Sequence, residues 1–466
     1  MAEAGGTSGD KEFKKLFRRR FPQYVAASAA CMGGFSLGCG LGWSAPSVEI
    51  LKDKYSYNEF STNVIAAVFP LGAALGMPVI PFLIDKIGRK WTMMALVPAF
   101  LLGWIFIAAG VSELTLLIIG RLITGACGGM FCVVAPMYSA EISEKQIRGT
   151  LGVFFQLLLV VGILYAYCCG YSRNVIVTSA LCGAAPIIFA CIMIFMPESP
   201  LYYLSKDNEE AARKSMRFFR GPDHSVDAEI SAFKVSKSRR HTVTISIFKK
   251  KPVMRTMGVA FGLMFAQQFS GINAIIFYCE TIFRQTGVDM DPLLQMVIVA
   301  IVQVVACVAS AALIDQLGRK LLMLISCGVM CCCLVALGFF FILKSNNAQA
   351  ADDLFWLPLF SACLYMLAFC LGAGPIPWAY MGEIFPTKLK GIASSSAAFF
   401  NWTLAFIVTV SFSSVVNAIG IAAAFFFFAV ICGLSVAFVV FFMVETKGKT
   451  FAEILREFGT YDIDEQ

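Results

Sequence analysis

Charge is scarce in this chain. Only 14% of its 466 residues are Asp, Glu, Lys or Arg, against about a quarter in ordinary soluble domains. So few charged groups could not cover the surface of a soluble fold of this size, which excludes a soluble enzyme or adaptor. Histidine is almost missing, with His224 and His241 the only two. No C-x-x-C pair recurs at zinc spacing, so no metal centre is expected. The 17 cysteines lie mostly inside apolar runs, as Cys168-Cys169 and Cys331-Cys332-Cys333 do. They read as small packing residues and not as a disulfide framework. The polar, basic start lacks the pattern of a cleavable signal. The net charge of +7 is modest and confined to particular loops, so no nucleic-acid partner is implied. No nucleophile–base constellation marks an enzyme, and no cofactor is called for.

What the chain has instead is long apolar runs. Hydrophobic residues make up 58% of it, with a mean hydropathy of +0.76. Runs longer than about 18 residues read as membrane-spanning helices. Six lie between residues 24 and 196, and six more between 253 and 444. The expected fold is therefore an all-α membrane protein. Twelve transmembrane helices form two pseudo-symmetric six-helix bundles joined by a cytoplasmic helical linker. The divisions are a tail over 1–21, a bundle over 22–197, the linker over 198–252, a second bundle over 253–444 and a tail over 445–466. Basic residues concentrate in the even-numbered connections: Lys86, Arg89 and Lys90; Lys145 and Arg148; Arg319 and Lys320; Lys388 and Lys390. The odd connections are poor in them, so both tails are placed in the cytoplasm. The linker carries Glu209/Arg213 and Glu210/Lys214 at i,i+4, the pattern of a solvent-exposed helix. Lys249-Lys250-Lys251 is suited to anionic lipid headgroups.

The halves repeat one another. Asp85-Lys86-Ile87-Gly88-Arg89-Lys90 returns as Asp315-Gln316-Leu317-Gly318-Arg319-Lys320. Glu141-Ile142 before Arg148-Gly149 returns as Glu383-Ile384 before Lys390-Gly391. Pro197-Glu198-Ser199-Pro200 follows the sixth run, and Glu445-Thr446-Lys447-Gly448 follows the twelfth. Three matching features on one side of both halves point to a two-half transporter with its site between the halves.

These motifs resemble the major facilitator superfamily and its sugar-porter branch. Gly120-Arg121 and Pro136-Met137-Tyr138-Ser139-Ala140-Glu141 add to the superfamily marks. Gln267-Gln268-Phe269-Ser270-Gly271-Ile272-Asn273 and Gly374-Pro375-Ile376-Pro377-Trp378 are the more specific sugar-porter stretches. Leu41-Gly42-Trp43-Ser44-Ala45-Pro46 is similar to insect facilitated trehalose transporters and class III animal glucose facilitators. The resemblance implies a substrate site at Gln156, Gln267, Gln268, Asn273, Gln303, Trp378 and Asn401. The chemistry agrees, because side-chain amides both donate to and accept from neutral hydroxyls, and the Trp378 indole suits the apolar face of a pyranose. Amides inside helices also serve simply to join helices, at about 1 kcal/mol or less each. The resemblance further implies a cytoplasmic gate. Arg89 with Glu141 and Arg148, and Arg319 with Glu383 and Lys390, clamp the bundles when the inner gate is shut, with Glu198 and Glu445 as further acids.

The chain departs from the pattern in places. Leu201 stands where the family usually has arginine, and Lys390 where arginine is frequent; lysine lacks the planar fork. Both predict a weaker inner clamp. Cys370 replaces an acid of well-studied glucose facilitators, and Gln303 a common asparagine. Proton-coupled relatives carry an acid in the first span near the fourth-span arginine; Arg121 is present, but residues 24–44 hold no acid. The expected function is passive transport of a neutral sugar, glucose or trehalose, by a protein working as a monomer in the bilayer, by default the plasma membrane. Proton–sugar symport and a non-transporting sugar sensor are the alternatives. Asn401-Trp402-Thr403 forms a glycosylation sequon inside the eleventh run, so no glycan is expected there.

Overall fold

A chain buried in hydrocarbon must pair its backbone N–H and C=O groups internally, which leaves helices as the simple solution. The computed structural model describes residues 8–144, 146–221, 226–238, 245–386 and 389–461. All regular structure among them is helical. His224, His241, Lys145, Lys388 and the side chain of Asp315 lie outside the described residues.

The first half comprises α1 (Ser8–Gly42), α2 (Ser44–Tyr55), α3 (Glu59–Gly76), α4 (Ile80–Ile87), α5 (Arg89–Ala109), α6 (Leu114–Ile142), α7 (Arg148–Gly170) and α8 (Val175–Met193). The linker holds α9 (Pro200–Ser205), α10 (Glu209–Arg220), α11 (Asp227–Ser238) and a 3-10 turn over Ile245–Lys249. The second half opens with α12 (Lys251–Gln268), α13 (Ile272–Thr286), α14 (Pro292–Leu317) and α15 (Arg319–Asn346). It continues through α16 (Ala348–Asp352), α17 (Leu357–Leu371), α18 (Ile376–Ile384), α19 (Lys390–Ile419), α20 (Ile421–Phe442) and α21 (Phe451–Phe458). Twelve stretches among these are long and apolar enough to cross a membrane. Successive crossings put the linker, Gly88, Gly318 and α21 on one face, the basic face.

Two spans run further than the hydropathy pattern indicates. The apolar run ends near 44, yet the first span continues through α2 to Tyr55; the run ending near 279 continues through α13 to Thr286. Charged residues cut the pattern short: Glu49, Lys52, Asp53 and Lys54 in α2, Glu280 and Arg284 in α13. Those pieces pack on each other across the two halves, so Glu49, Asp53, Glu280 and Arg284 find partners among themselves, while Lys54 is exposed. At the other end, α1 already begins at Ser8, so the basic stretch there is helical and continuous with the first span.

Within a half, helices approach closely through small residues, the usual device where lipid removes the hydrophobic drive between helices. On α1 and α7, Gly38 faces the backbone of Leu159, and Gly162 faces that of Phe35. A Cβ at Gly38 would lie 2.0 Å from the Leu159 carbonyl oxygen. The halves meet through α3 with α19, α7 with α14 and α2 with α13. The linker docks on the first half. Gln23 Nε2 donates to the Phe219 carbonyl at 2.9 Å, and Arg220 Nη1 to that of Ile142 at 2.8 Å. Its Glu209–Arg213 pair forms at 2.8 Å.

Gly38→Ala therefore forces α1 and α7 apart and costs about 1–3 kcal/mol. Gly258→Ala, with nothing within 4 Å of the added carbon, is the matched control. Thermal unfolding of the two purified variants in detergent measures the difference; equal midpoints would contradict the close approach.

Candidate functional site

The site is built where two helices break. The seventh span stops at Gln268 and restarts at Ile272 after Gly271, whose φ of +91° favours glycine. The tenth stops at Leu371 and restarts at Ile376. Each break frees backbone carbonyls that hydrocarbon cannot satisfy. Gln267 Nε2 donates to the carbonyls of Ala373 at 2.7 Å and Gly374 at 2.8 Å. The Tyr365 hydroxyl donates to the Ser270 carbonyl at 3.0 Å, and Ser270 Oγ to that of Gln267 at 2.7 Å. The two gaps thus hold each other together.

From Gln267 the amides run head to tail. Asn401 Nδ2 donates to Gln267 Oε1 at 2.8 Å, and Gln268 Nε2 to Asn401 Oδ1 at 2.8 Å. Asn273 Nδ2 donates to Gln268 Oε1. Asn401 Nδ2 also reaches Met264 Sδ at 3.1 Å. All four amides are buried. A primary amide has two donors and an oxygen with two lone pairs. Gln267 spends both donors on backbone, and Asn401 spends both on Gln267 and Met264. Gln268 keeps one N–H, and Asn273 keeps one N–H and its oxygen, without a hydrogen-bond partner among the described residues. The spare capacity therefore sits at the Gln268–Asn273 end.

Of the seven residues the resemblance pointed to, these four are brought together. Gln303 is buried beside Cys370, and Gln156 and Trp378 are half-buried on α7 and α18. These three do not join the amide chain. Beside the chain lies a link between halves that the sequence did not reveal. Asn63 Oδ1 accepts from the Tyr278 hydroxyl at 3.2 Å and from Ser413 Oγ at 2.8 Å. Tyr278 also departs from helical geometry inside α13, and nothing in its sequence neighbourhood distinguishes it from a packed aromatic. Arg121 is fully buried. It donates to the carbonyls of Gly40 at 2.7 Å and Ile65 at 3.2 Å and to Ser44 Oγ, and lies over the rings of Trp43 and Phe69. None of these partners is a carboxylate.

On the basic face the repeat becomes a repeat of contacts. Gly88 and Gly318 have φ of +93° and +91° and open α5 and α15. A glutamate from the end of each half caps the helix so started. Glu198 accepts from the backbone N–H of Arg89 at 3.1 Å and Lys90 at 2.9 Å. Glu445 accepts from Arg319 at 3.0 Å and Lys320 at 2.9 Å. A carboxylate at a helix N-terminus meets unpaired donors and the positive end of the dipole. Arg89 pairs with Glu141 at 2.8 Å and Arg319 with Glu383 at 3.1 Å. Ser199 and Thr446 donate to those same acids. The Tyr138 and Tyr380 hydroxyls tie to the carbonyls of Pro197 and Val444.

Two expected members of this network sit apart from its acids. Arg148 reaches the Ser143 carbonyl at 3.5 Å, and Lys390 Nζ donates to that of Gly382 at 2.7 Å. The Arg89–Glu141 and Arg319–Glu383 pairs each stay inside one half. In this conformation they brace the ends of their own bundle and do not bridge to the other. The two capping acids differ. Burial pushes the Glu198 carboxyl above the usual range despite its backbone donors. For Glu445 burial pulls the same way, but the N–H groups of Lys447, Arg319, Lys320 and Thr446 outweigh it and hold the carboxyl low.

The sequence matches the family described as "Sugar (and other) transporter" over residues 23–458. A facilitated trehalose transporter Tret1 of Bombyx mori is 35% identical over 452 residues, covering 96% of this chain and 89% of that protein. Its counterpart in Polypedilum vanderplanki is 36% identical over 446 residues, 94% of this chain and 88% of the relative. The Aedes aegypti counterpart is 35% identical over 93% of this chain, which spans only 55% of that longer protein. Among solved structures, the proton:xylose symporter XylE bound to 6-bromo-6-deoxy-D-glucose matches with a TM-score of 0.78 at 23% identity, over 94% of this chain and 99% of that one. A partially occluded inward open conformation of the E. coli xylose transporter XylE also reaches 0.78, at 22% identity, over 92% and 99%. At such identities the structural likeness speaks for the fold.

The lowered Glu445 carboxyl fixes the sign of a pH effect. Its stabilisation is present above the ordinary glutamate value of about 4.3 and is lost as pH falls through the lowered folded-state value. Unfolding midpoints of the purified protein, taken from about pH 6 to about pH 3.5, fall along an acid limb that Glu445→Gln makes shallower. Superimposable profiles would contradict the assignment.

Proposed function

The chain belongs to the sugar transporter family, and from that premise we propose that it carries a neutral sugar, trehalose or glucose, passively by alternating access between its two halves. The observation that carries the reading is the polarised amide chain with its spare end at Gln268 and Asn273. A sugar hydroxyl both donates and accepts, and that end offers both N–H donors and a carbonyl acceptor. Gln267 and Asn401 position this end; Gln268 and Asn273 meet the sugar, with Gln156, Gln303 and Trp378 completing the enclosure. The names of the relatives support trehalose.

The passive mechanism rests on Arg121. A proton carrier inside a membrane needs an ionisable group with a partner. Here the guanidinium meets two carbonyls, a serine hydroxyl and two aromatic faces and no carboxylate, so it lacks the acidic partner such a pair needs. The basic face is read as cytoplasmic from the distribution of Lys and Arg; the ion pairs that join the halves, Arg284 with Asp53 and Glu49 and Arg173 with Glu280 and Asp291, lie at the opposite face, which supports reading this conformation as inward-facing. Arg89, Glu141, Glu198, Arg319, Glu383 and Glu445 keep each bundle's cytoplasmic end rigid, and Arg148 and Lys390 engage the opposite half when that side shuts. The protein works as a monomer in the plasma membrane.

In binding assays on purified protein, Gln268→Ala and Asn273→Ala weaken sugar affinity about tenfold, as expected for one or two lost hydrogen bonds each, with unfolding midpoints near wild type. Gln267→Ala lowers the midpoint as well, because it strands the carbonyls of Ala373 and Gly374. Wild-type affinity in the Gln268→Ala/Asn273→Ala double variant would refute the site.

The energy source is tested with labelled trehalose and glucose in proteoliposomes, with and without an imposed proton gradient. At least one sugar equilibrates, and neither accumulates above the external concentration. Gradient-driven accumulation would overturn the passive mechanism.

A further inference from the structure

The ion pairs that join the two halves among the described residues all gather at the face opposite the basic one. Four crossings are made by two arginines. Arg284 of α13 meets Asp53 of α2 at 2.9 Å and Glu49 of α2 at 3.6 Å. Arg173, in the turn after α7, meets Glu280 of α13 at 3.1 Å and Asp291, the residue before α14, at 3.5 Å. The two arginines share an acid, because Arg284 also pairs with Glu280 at 2.8 Å along its own helix. Thr281 donates to Glu49, Lys52 pairs with Glu49 at 3.5 Å, and Asn417 reaches Glu59 at 3.1 Å. Each half thus supplies an arginine to the other half's acids.

Two of the four acids, Glu280 and Glu49, are buried, while Asp53 and Asp291 are exposed. Glu280 is 0% exposed and Glu49 6%, while the arginines are half-exposed. Glu280 Oε1 takes contacts from both guanidinium groups, and its other oxygen is buried without a hydrogen-bond partner. Removing an arginine therefore leaves a buried carboxylate short of its counter-charge, which costs far more than a surface pair. That cost arises only while the mouth is closed, because parting α2 from α13 lets water reach the acids.

We propose that Arg284 and Arg173 form a reciprocal ionic latch that holds the outer mouth shut and sets the resting balance toward the inward-facing state. The proposal rests on the alternating-access reading. It concerns the conformational equilibrium of the empty protein, so it does not depend on which sugar is carried. Arg284 and Arg173 are positioning residues and touch no sugar. The latch acts against a clamp at the cytoplasmic side that has Leu201 and Lys390 where arginines would strengthen it, and both differences push the balance the same way.

The test measures the width of the outer mouth in sugar-free, full-length protein. Spin labels are attached through ketone-bearing residues at the exposed positions Lys54 and Gln285, leaving the native cysteines untouched. Electron–electron distance measurements resolve the closed and open populations. The labelled parent shows mainly the short distance. Arg284→Gln and Arg173→Gln, placed on opposite halves, each raise the long-distance population at least about threefold, the scale of a partly exposed pair; Arg284→Lys raises it less. Raising salt from about 0.1 M to about 1 M widens the mouth of the parent and has little further effect in Arg284→Gln. A role confined to bracing α13 would lower the unfolding midpoint and leave the distances unchanged, and that result overturns the latch. If the glutamine variants fail to fold, Arg284→Lys and the salt titration decide alone: a mouth insensitive to both refutes the proposal. Failure of the parent protein to equilibrate any sugar would count against transport itself, while these distances would still report on the latch.

Discussion

Everything in this molecule answers to the absence of water around its backbone. A straight helix solves that problem alone, but a straight helix offers a substrate only side chains on a stripe. The seventh and tenth spans are broken, and the loose carbonyls at each break need a donor. Gln267 is that donor for Ala373 and Gly374. Its orientation then dictates that of Asn401, which dictates that of Gln268 and Asn273. A solution to a backbone problem thus sets the orientation of the amides proposed to meet the sugar.

The same pressure shapes the basic face. A helix that starts abruptly after a positive-φ glycine exposes donors, and a glutamate arriving from the end of the half covers them. Because the device occurs in both halves, each bundle is closed on itself, from its last element to the connection between its second and third spans. That lets the bundles move as bodies, as alternating access demands. The copies have nonetheless diverged: burial dominates at Glu198 and backbone donors at Glu445. The more deeply buried cap lies beside the docked linker, which shields it.

Much of this was legible in the sequence, for identifiable reasons. Twelve spans and two halves follow from apolar runs and from motifs repeated at matching places, since hydrocarbon imposes its length on each helix. The amides of 267–273 and Asn401 stood out through the sugar-porter resemblance and the fit of amides to neutral hydroxyls. What could not be read were relations between distant segments. Hydropathy ended the first and seventh spans early because the charges of α2 and α13 were weighed against lipid, whereas Glu49 and Asp53 of α2 pair with Arg284 of α13. The Glu280/Arg284 spacing inside an otherwise apolar helix was the available signal. Arg148 and Lys390 were assigned acids by resemblance, whereas in this conformation they reach the carbonyls of Ser143 and Gly382, and a sequence describes every state at once.

The amide chain has a direction, and its direction is anchored. Turning any one amide over would set oxygen against oxygen or N–H against N–H, at one neighbour for Asn273 at the end of the chain and on both sides for the others. Turning all four together would present the oxygen of Gln267 to two carbonyls. The backbone at Ala373 and Gly374 therefore decides, from the far end, which atom Asn273 shows to a guest. On the proposal that Gln268 and Asn273 meet the sugar, discrimination between epimers, which differ only in where one hydroxyl points, is in this sense written into the main chain. Changes around the tenth-span break should then alter stereochemical preference while leaving every residue that touches the guest in place.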